Sequence, residues 1–263
     1  MALVRPRFSS LACWMLLGAL SSMAQAEDIS LRLHGSNTIG ARLGPDLLMA
    51  YARSKGFVGV KQSERLGQWL ADAKLRPRRV LLGGMRRHQQ TLDALLSGYG
   101  DTLPTAEYLD DLNEFDHEAV LAGFCRRHAD HPAASIGAAP WQAPPREVAR
   151  LVSAALGAWS SGSLDEEHAV EPWSQFRQRV GRAVDVLHDD PEDGLVLMVS
   201  SGGVLTQLLM AAMDAPDTRA AELNLGIRNS AVCEFVRDEG RLRLLSWNGL
   251  PHLADSPELW THY

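Results

Sequence analysis

Five consecutive apolar residues at positions 195–199 give the clearest strand pattern in the chain. Such a run is typical of a strand buried on both faces of a parallel sheet. The turn Ser200, Ser201, Gly202 and Gly203 follows, and apolar residues then recur at helical spacing. A strand, a glycine turn and a helix leave backbone N–H groups pointing out of the carboxyl end of the sheet, where anions bind.

The same alternation of strand and helix patterns continues along most of the chain. A short buried strand is predicted at 80–82, and a C-terminal hairpin at 231–237 and 242–247. Apolar residues at a spacing near 3.6 predict helices at 62–74, 85–96, 117–127, 146–159 and 173–187. We therefore expect a three-layer α/β sandwich, with a mostly parallel sheet, helices on both faces and the site at the carboxyl ends of the strands.

Composition limits the classes of function. Of 263 residues, 46% are hydrophobic and 22% are charged, which is typical of a folded globular chain and not of a disordered one. The formal net charge is −6 and no run of lysine or arginine forms a basic patch. We therefore expect no nucleic-acid partner.

The N-terminus has the three-part pattern of a secretory signal peptide. Arg5 and Arg7 precede an apolar run at 11–20, and the small residues Ala24 and Ala26 follow at the spacing of a cleavage site. The run is too short to span a bilayer permanently. We predict that residues 1–26 are removed, which leaves a periplasmic or secreted protein with no stable membrane anchor.

Two cysteines, Cys125 and Cys233, remain after this cleavage. Export would permit a disulfide, but we expect two separate thiols, since sequence alone cannot establish the geometry that a disulfide needs. Cysteines and histidines do not occur at zinc-site spacing, so we expect neither a metal nor a cofactor.

Residues 27–57 form a second predicted segment. A short strand at 29–33 ends in a turn that contains His34, Ser36 and Asn37, and apolar residues at 39–51 then recur at helical spacing. The segment resembles the opening of periplasmic phosphate-binding proteins of ABC transporters. That resemblance implies that Ser36 and Asn37 bind phosphate at a helix N-terminus, whereas the alternative is a helix cap only.

From residue 58 to 263, four motifs appear in an order that resembles the histidine phosphatase superfamily, which includes the phosphoglycerate mutases. They are a Gly-x-x-Gln helix start at 59–67, an Arg-x-x-Gln-Thr turn at 83–91, an acidic loop at 112–116 and the strand end at 199–204. The resemblance implies a phosphoglycerate mutase-like fold. It also implies a covalent reaction in which a histidine takes the phosphoryl group and water releases it.

The resemblance assigns roles to particular residues. Arg87 would hold phosphate, Gly202 would contact it at the helix start, and Glu114 would protonate the leaving alcohol. Ser201 stands where the family has its second histidine, and a hydroxyl has no positive charge with which to stabilise phosphoryl oxygens. Asn229 is a weaker match to a residue that supports the pocket.

The Arg-His-Gly motif of the family's first strand is absent from this sequence. Residues 31–35 also form a strand ending in His-Gly, so we hypothesise that His34 fills the first-strand position as the nucleophile. The alternative is that His34 only belongs to the segment at 27–57 and that the pocket lacks a nucleophile. The other histidines are expected at surface or capping positions, and His88, beside Arg87, is the one to test.

These features lead to one main interpretation and three alternatives. The main interpretation is a protein that binds or acts on phosphomonoesters, with impaired hydrolysis and a small phosphorylated molecule or inorganic phosphate as its ligand. The alternatives are an active phosphomonoesterase that uses His34, a non-catalytic phosphate-binding protein that uses the helix start after Gly35, and a fusion without a joint function.

Overall fold

The computed structural model describes residues 12–17, 58–138, 143–167, 169–189, 194–238 and 241–261. The strands are β1 (Ala12–Leu17), β2 (Arg79–Leu82), β3 (Ala106–Tyr108), β4 (Val196–Ser200), β5 (Val232–Asp238) and β6 (Arg241–Gly249). The helices are α1 (Val58–Asp72), α2 (Arg86–Tyr99), α3 (His117–Arg127), α4 (Pro145–Ser160), α5 (Trp173–His188), α6 (Gly202–Ala212) and α7 (Ala220–Leu225).

The six described strands form one mixed sheet in the order β3-β2-β4-β1-β5-β6. β3, β2, β4 and β1 run parallel to one another, and β5 and β6 are antiparallel to their neighbours. The carboxyl ends of the four parallel strands therefore meet at one edge of the sheet. The predicted α/β sandwich with a mostly parallel sheet is confirmed.

The central strand β1 comes from an unexpected part of the chain. Ala12–Leu17 lies between β4 and β5, with Leu17 paired to Ser200 and Leu16 paired to Val232. The sequence predicts that this segment is removed in a signal peptide and that a domain begins at 58, whereas the structure includes Ala12–Leu17 in the sheet. An uninterrupted apolar run is typical of a strand covered on both faces of a sheet, and it is equally typical of the apolar part of a signal peptide. Cleavage after residue 26 stays a prediction.

The sheet separates two apolar clusters because side chains of successive strand residues point to opposite faces. Leu197 and Val199 of β4 pack with Leu66 of α1 and Leu95 of α2 on one face. On the other face, Met198 joins a larger cluster that includes the apolar sides of α3, α4, α5 and α6. Helices thus cover both faces of the sheet, as expected.

Helix boundaries follow the sequence signals closely. α3 begins after Asp116, whose side chain accepts a hydrogen bond from the N–H of Ala119 at 2.9 Å, and this cap fixes the predicted start. β3, a three-residue edge strand, is not among the strands that the sequence pattern predicts. β3 is defined by its backbone pairing with β2. Its three residues are too few to show a periodicity in the sequence.

Cys125 and Cys233 are both free thiols, as expected. Cys233 is buried in β5, and this burial raises the pKa of its thiol to about 12. Within the described ranges, the helices lack either the length or the apolar character needed to cross a bilayer.

Candidate active site

Two parallel strands bring the candidate site together. β2 ends at Leu82 and is followed by Gly83 and Gly84, and β4 ends at Ser200 and is followed by Ser201 and α6. The N–H of Gly83 donates to the carbonyl of Val199 at 3.2 Å, so the two strand ends are joined directly. Arg87 in the first turn of α2 and Ser201 therefore face each other across the same edge.

Arg87 contacts Ser201 through two of its guanidinium nitrogens. Nε lies 3.2 Å and Nη2 lies 3.0 Å from Ser201 Oγ, and both donate to this oxygen. A cation in the first turn of a helix opposes the helix dipole, so an anion bound beside Arg87 would relieve this unfavourable interaction. The predicted phosphate arginine thus lies at the predicted edge of the sheet.

His88 is fully buried and points at the same hydroxyl. Its Nε2 lies 2.6 Å from Ser201 Oγ. Burial and the charge of Arg87 lower the pKa of His88 to about 4, so its ring is neutral near pH 7. The expectation that His88 is a surface or capping residue is wrong, because its side chain is buried and contacts Ser201 after the end of β4.

Gly83 makes room for this ring. A Cβ at this position would lie 2.3 Å from His88 Nδ1, closer than the two atoms can approach. The glycine after β2 is therefore required by the imidazole behind it.

Glu114 completes the group of polar side chains. Its Oε2 accepts a hydrogen bond from the N–H of Gly203 at 3.0 Å, and its Oε1 accepts one from the N–H of Phe115 at 3.2 Å. Burial raises the pKa of Glu114, while the N–H of Gly203 and the charge of Arg87 oppose the shift. Glu114 therefore retains its proton to a higher pH than an exposed carboxyl, as a general acid requires.

The loop that holds Glu114 is fixed from two sides. Ser200 Oγ donates to the carbonyl of Leu112 at 2.7 Å, and Arg179 Nη1 donates to the carbonyl of Asn113 at 2.6 Å. Arg179 also pairs with Glu171, with 2.7 Å from Nε to Oε1. Sequence reasoning missed Arg179 because an arginine on an amphipathic helix is usually solvent-exposed, and only the packing of α5 against this loop reveals its role.

Other predicted residues lie elsewhere. Asn229 binds the C-terminal segment, with Nδ2 donating to Thr261 Oγ1 at 2.9 Å. Gln62 of the predicted helix-start motif donates to the same oxygen at 3.1 Å. Asn229, the weaker match to a residue that supports the pocket, therefore contacts the C-terminal segment in this structure.

The first-strand position differs from our hypothesis. Ala12–Leu17 holds the place that we assigned to residues 31–35, since it pairs with both β4 and β5. His34, Ser36 and Asn37 lie outside the described residues, and their roles stay predictions.

A metal site does not emerge from the residues that the structure describes. Among them, no three histidine, cysteine, aspartate or glutamate side chains are grouped so that they could hold a metal ion. Arginine, serine and histidine side chains, beside a carboxyl whose pKa is raised by burial, together suit an anion such as phosphate.

Several solved structures have a fold similar to that of this chain. The phosphoglycerate mutase from Bacillus anthracis str. Sterne is 14% identical, with a TM-score of 0.58 over 94% of this chain and 97% of that chain. A putative alpha-ribazole-5'-P phosphatase from Escherichia coli is 16% identical, with a TM-score of 0.52 over 92% and 98%. Mycobacterial hydrolase 1 is 17% identical, with a TM-score of 0.54 over 91% and 99%. The chain therefore has a phosphoglycerate mutase-like fold.

A sequence-level match agrees with this fold. The model of the histidine phosphatase superfamily (branch 1) matches residues 135–249, a range that includes Ser201 and Gly203 but not Arg87 or Glu114. Residues 135–249 thus have the sequence pattern of that superfamily. No curated protein matches the chain.

Proposed function

We propose that this protein binds phosphomonoesters or inorganic phosphate at the edge formed by Arg87, Ser201 and Glu114, and that its histidine-based hydrolysis is impaired. The observation that supports this proposal most directly is the pair of N–H donors that Arg87 directs to Ser201 Oγ at the start of α6. The named relatives of this fold, a phosphoglycerate mutase and an alpha-ribazole-5'-P phosphatase, act on small phosphorylated molecules and support the same ligand class.

The chemistry of these groups favours a phosphate dianion. A guanidinium group presents N–H donors in a planar fork that matches two phosphate oxygens. The start of α6, at Gly202, adds backbone N–H groups and the positive end of the helix dipole. Glu114, with its raised pKa, supplies the proton for a leaving alcohol.

Two departures from the superfamily support impaired catalysis. Leu17 pairs with Ser200 at the end of the central strand, and the sequence continues with Gly18 and Ala19, so a histidine does not follow this strand. Ser201 replaces the second histidine and contributes a neutral hydroxyl in place of a cationic ring. The usual histidine is therefore absent directly after the central strand, and one usual source of positive charge is absent at the start of α6.

The test is a comparison of two neighbouring arginines. Arg87→Ala removes the donor to the site, whereas Arg86→Ala removes an equal charge from an exposed position one residue earlier. Because hydrogen bonds from charged groups contribute about 1.5–3 kcal/mol, we expect Arg87→Ala to weaken phosphate binding roughly 10- to 100-fold in a calorimetric titration.

Arg86→Ala should change the affinity for phosphate by less than about threefold, because an exposed charge contributes little. Equal effects of the two substitutions would contradict the proposed site, since net charge alone would then explain the binding. Hydrolysis of a generic aryl phosphate, measured on the same samples, reports how far catalysis is impaired.

A further inference from the structure

Ser201 and His88 form a buried serine–histidine pair that phosphate binding alone does not require. We propose that Ser201 is the nucleophile that takes the phosphoryl group in this protein and that His88 accepts its proton. This inference rests on the proposed function and names the group that replaces the missing histidine nucleophile.

The first support is the geometry of the pair. Ser201 Oγ and His88 Nε2 are 2.6 Å apart, and the two side chains are 3% and 0% exposed. A hydroxyl within hydrogen-bond reach of an imidazole, shielded from water, is the arrangement that activates a serine for attack. The serine also lies between the end of a strand and the start of a helix, the position at which parallel α/β sheets bind their ligands.

The second support is the orientation of the imidazole. Nε2 is the ring nitrogen directed at Ser201 Oγ, and the buried Nδ1 has no hydrogen-bond partner among the described residues. With its proton on Nδ1, the neutral ring presents a lone pair at Nε2, toward Ser201.

The third support is the charge beside the oxygen. Arg87 donates from Nε and Nη2 to Ser201 Oγ, so it stabilises the negative charge that develops on this oxygen during proton removal. The same guanidinium then contacts the phosphoryl oxygens. A bound phosphate dianion offsets the charge of Arg87 and so makes His88 a stronger base in the complex than in the free protein.

The reaction balances without a cofactor. The Oγ–P bond forms, the bond from phosphorus to the ester oxygen breaks, the serine proton moves to His88 Nε2, and Glu114 donates its proton to the leaving alcohol. Water then attacks the phosphoserine and loses a proton to the Glu114 carboxylate. The Oγ–P bond breaks, and Ser201 regains its proton from His88. The sum is a phosphomonoester plus water giving an alcohol plus phosphate.

The chain offers a matched control in a second buried pair, Ser230 and His252. Ser230 Oγ and His252 Nε2 are 3.0 Å apart, and burial also lowers the pKa of His252 to about 4. The cation near His252 is Arg65, which is paired with Asp255 at 2.7 Å. Substitutions at Ser230 therefore repeat the loss of a buried serine–histidine contact without touching Arg87.

The experiment traps the covalent intermediate in the full chain. The protein is incubated with an aryl phosphate and quenched in acid, which preserves phosphoserine, and in base, which preserves phosphohistidine; peptides are then mapped by mass spectrometry. We expect phosphoserine at Ser201 in the unsubstituted protein, none in Ser201→Ala, and at least about 100-fold slower formation in His88→Gln, the typical contribution of a general base. Ser230→Ala should form phosphoserine at Ser201 to the same extent as the unsubstituted protein.

Phosphate titration separates failure of this inference from failure of the proposed function. Ser201→Ala should bind phosphate within about tenfold of the unsubstituted protein and lose hydrolysis, because Arg87 remains. If the unsubstituted protein binds phosphate but forms no phosphoserine and shows no turnover, the assignment of Ser201 as the nucleophile is overturned and the proposed phosphate site is left intact. Turnover that persists in Ser201→Ala, or label on His34, would also overturn it. Absence of phosphate binding in the unsubstituted protein would overturn both.

Discussion

At the scale of single residues, two glycines determine whether the site can form. Gly83 leaves room for the ring of His88, and Gly203 leaves room for the carboxyl of Glu114. A Cβ on Gly203 would lie 2.2 Å from Glu114 Oε1 and 2.7 Å from the ring of Phe115. Such distances force the loop or the helix to move.

Gly203→Ala should therefore destabilise the protein by about 1–3 kcal/mol, the usual cost of overpacking, and should displace Glu114. Thermal or chemical unfolding measures this change. The matched control is Gly157→Ala on α4, where a Cβ would meet nothing within 4 Å. Alanine there should stabilise the protein by about 0.5–1 kcal/mol, since glycine costs that much in a helix. Stabilisation by both substitutions would contradict the close packing of Glu114 against α6.

The buried imidazole of His88 also predicts a pH dependence of stability. Its pKa is about 4 in the folded protein, below the value of about 6.5 in an unfolded chain. The unfolded state therefore binds more protons between these values, so the free energy of unfolding falls as pH decreases from about 6.5 to about 4. The limiting loss is about 3 kcal/mol, at 1.36 kcal/mol per pH unit.

His88→Gln should reduce this acid limb, the fall in the free energy of unfolding at low pH, in urea unfolding measured from pH 8 to pH 4. His252→Gln should do the same, because the pKa of His252 is lowered to about 4 by burial and by the charge of Arg65. The double substitution should flatten the limb further. An unchanged limb in His88→Gln would show that the ring is not held neutral in the fold.

At the scale of elements, α5 positions the acidic loop. Arg179, with a side chain only 14% exposed, donates to the carbonyls of Asp111 and Asn113 at 3.1 and 2.6 Å. Arg182, on the same helix, pairs with the Asp111 carboxylate but has a side chain 54% exposed. The two arginines contact the same loop from very different environments.

Arg179→Ala should cost about 2–3 kcal/mol, because it leaves two carbonyl groups and Glu171 without their charged partner. It should also slow any hydrolysis that depends on Glu114. Arg182→Ala should cost less than about 1 kcal/mol, as exposed ion pairs do. Equal losses of unfolding free energy in the two variants would argue against a role for Arg179 in holding the loop.

At the scale of the whole molecule, the sheet depends on β1. Ala12–Leu17 pairs with β4 on one side and β5 on the other. Without it, β4 and β5 each lose one of their two neighbouring strands. Buried N–H and C=O groups left unpaired are costly. The predicted cleavage after residue 26 would remove this strand. The segment can therefore serve either as part of a signal peptide or as the central strand, but not as both in one molecule.

Removal of residues 1–26 should therefore abolish cooperative unfolding, whereas removal of residues 1–11, which keeps β1, should preserve it. Urea unfolding followed by circular dichroism measures both forms. The intact mass of the protein recovered after export would show which fate occurs in the cell. A cooperative fold in the chain that begins at 27 would contradict the central role of Ala12–Leu17.

The sequence by itself determined the layered fold and half of the site. Apolar runs, helical periodicity and caps such as Asp116 act over a few residues, so the helices and the strand at 195–199 are predictable from local pattern. Arg87 and Glu114 follow from the resemblance in motif order. Only the tertiary structure decided that His88 is buried against Ser201, that Arg179 holds the acidic loop, and that Ala12–Leu17 is the central strand. The physical reason is distance along the chain. These contacts join residues more than 60 positions apart, and which partner a buried imidazole, an arginine or an apolar run finds depends on how the sheet brings its strands together.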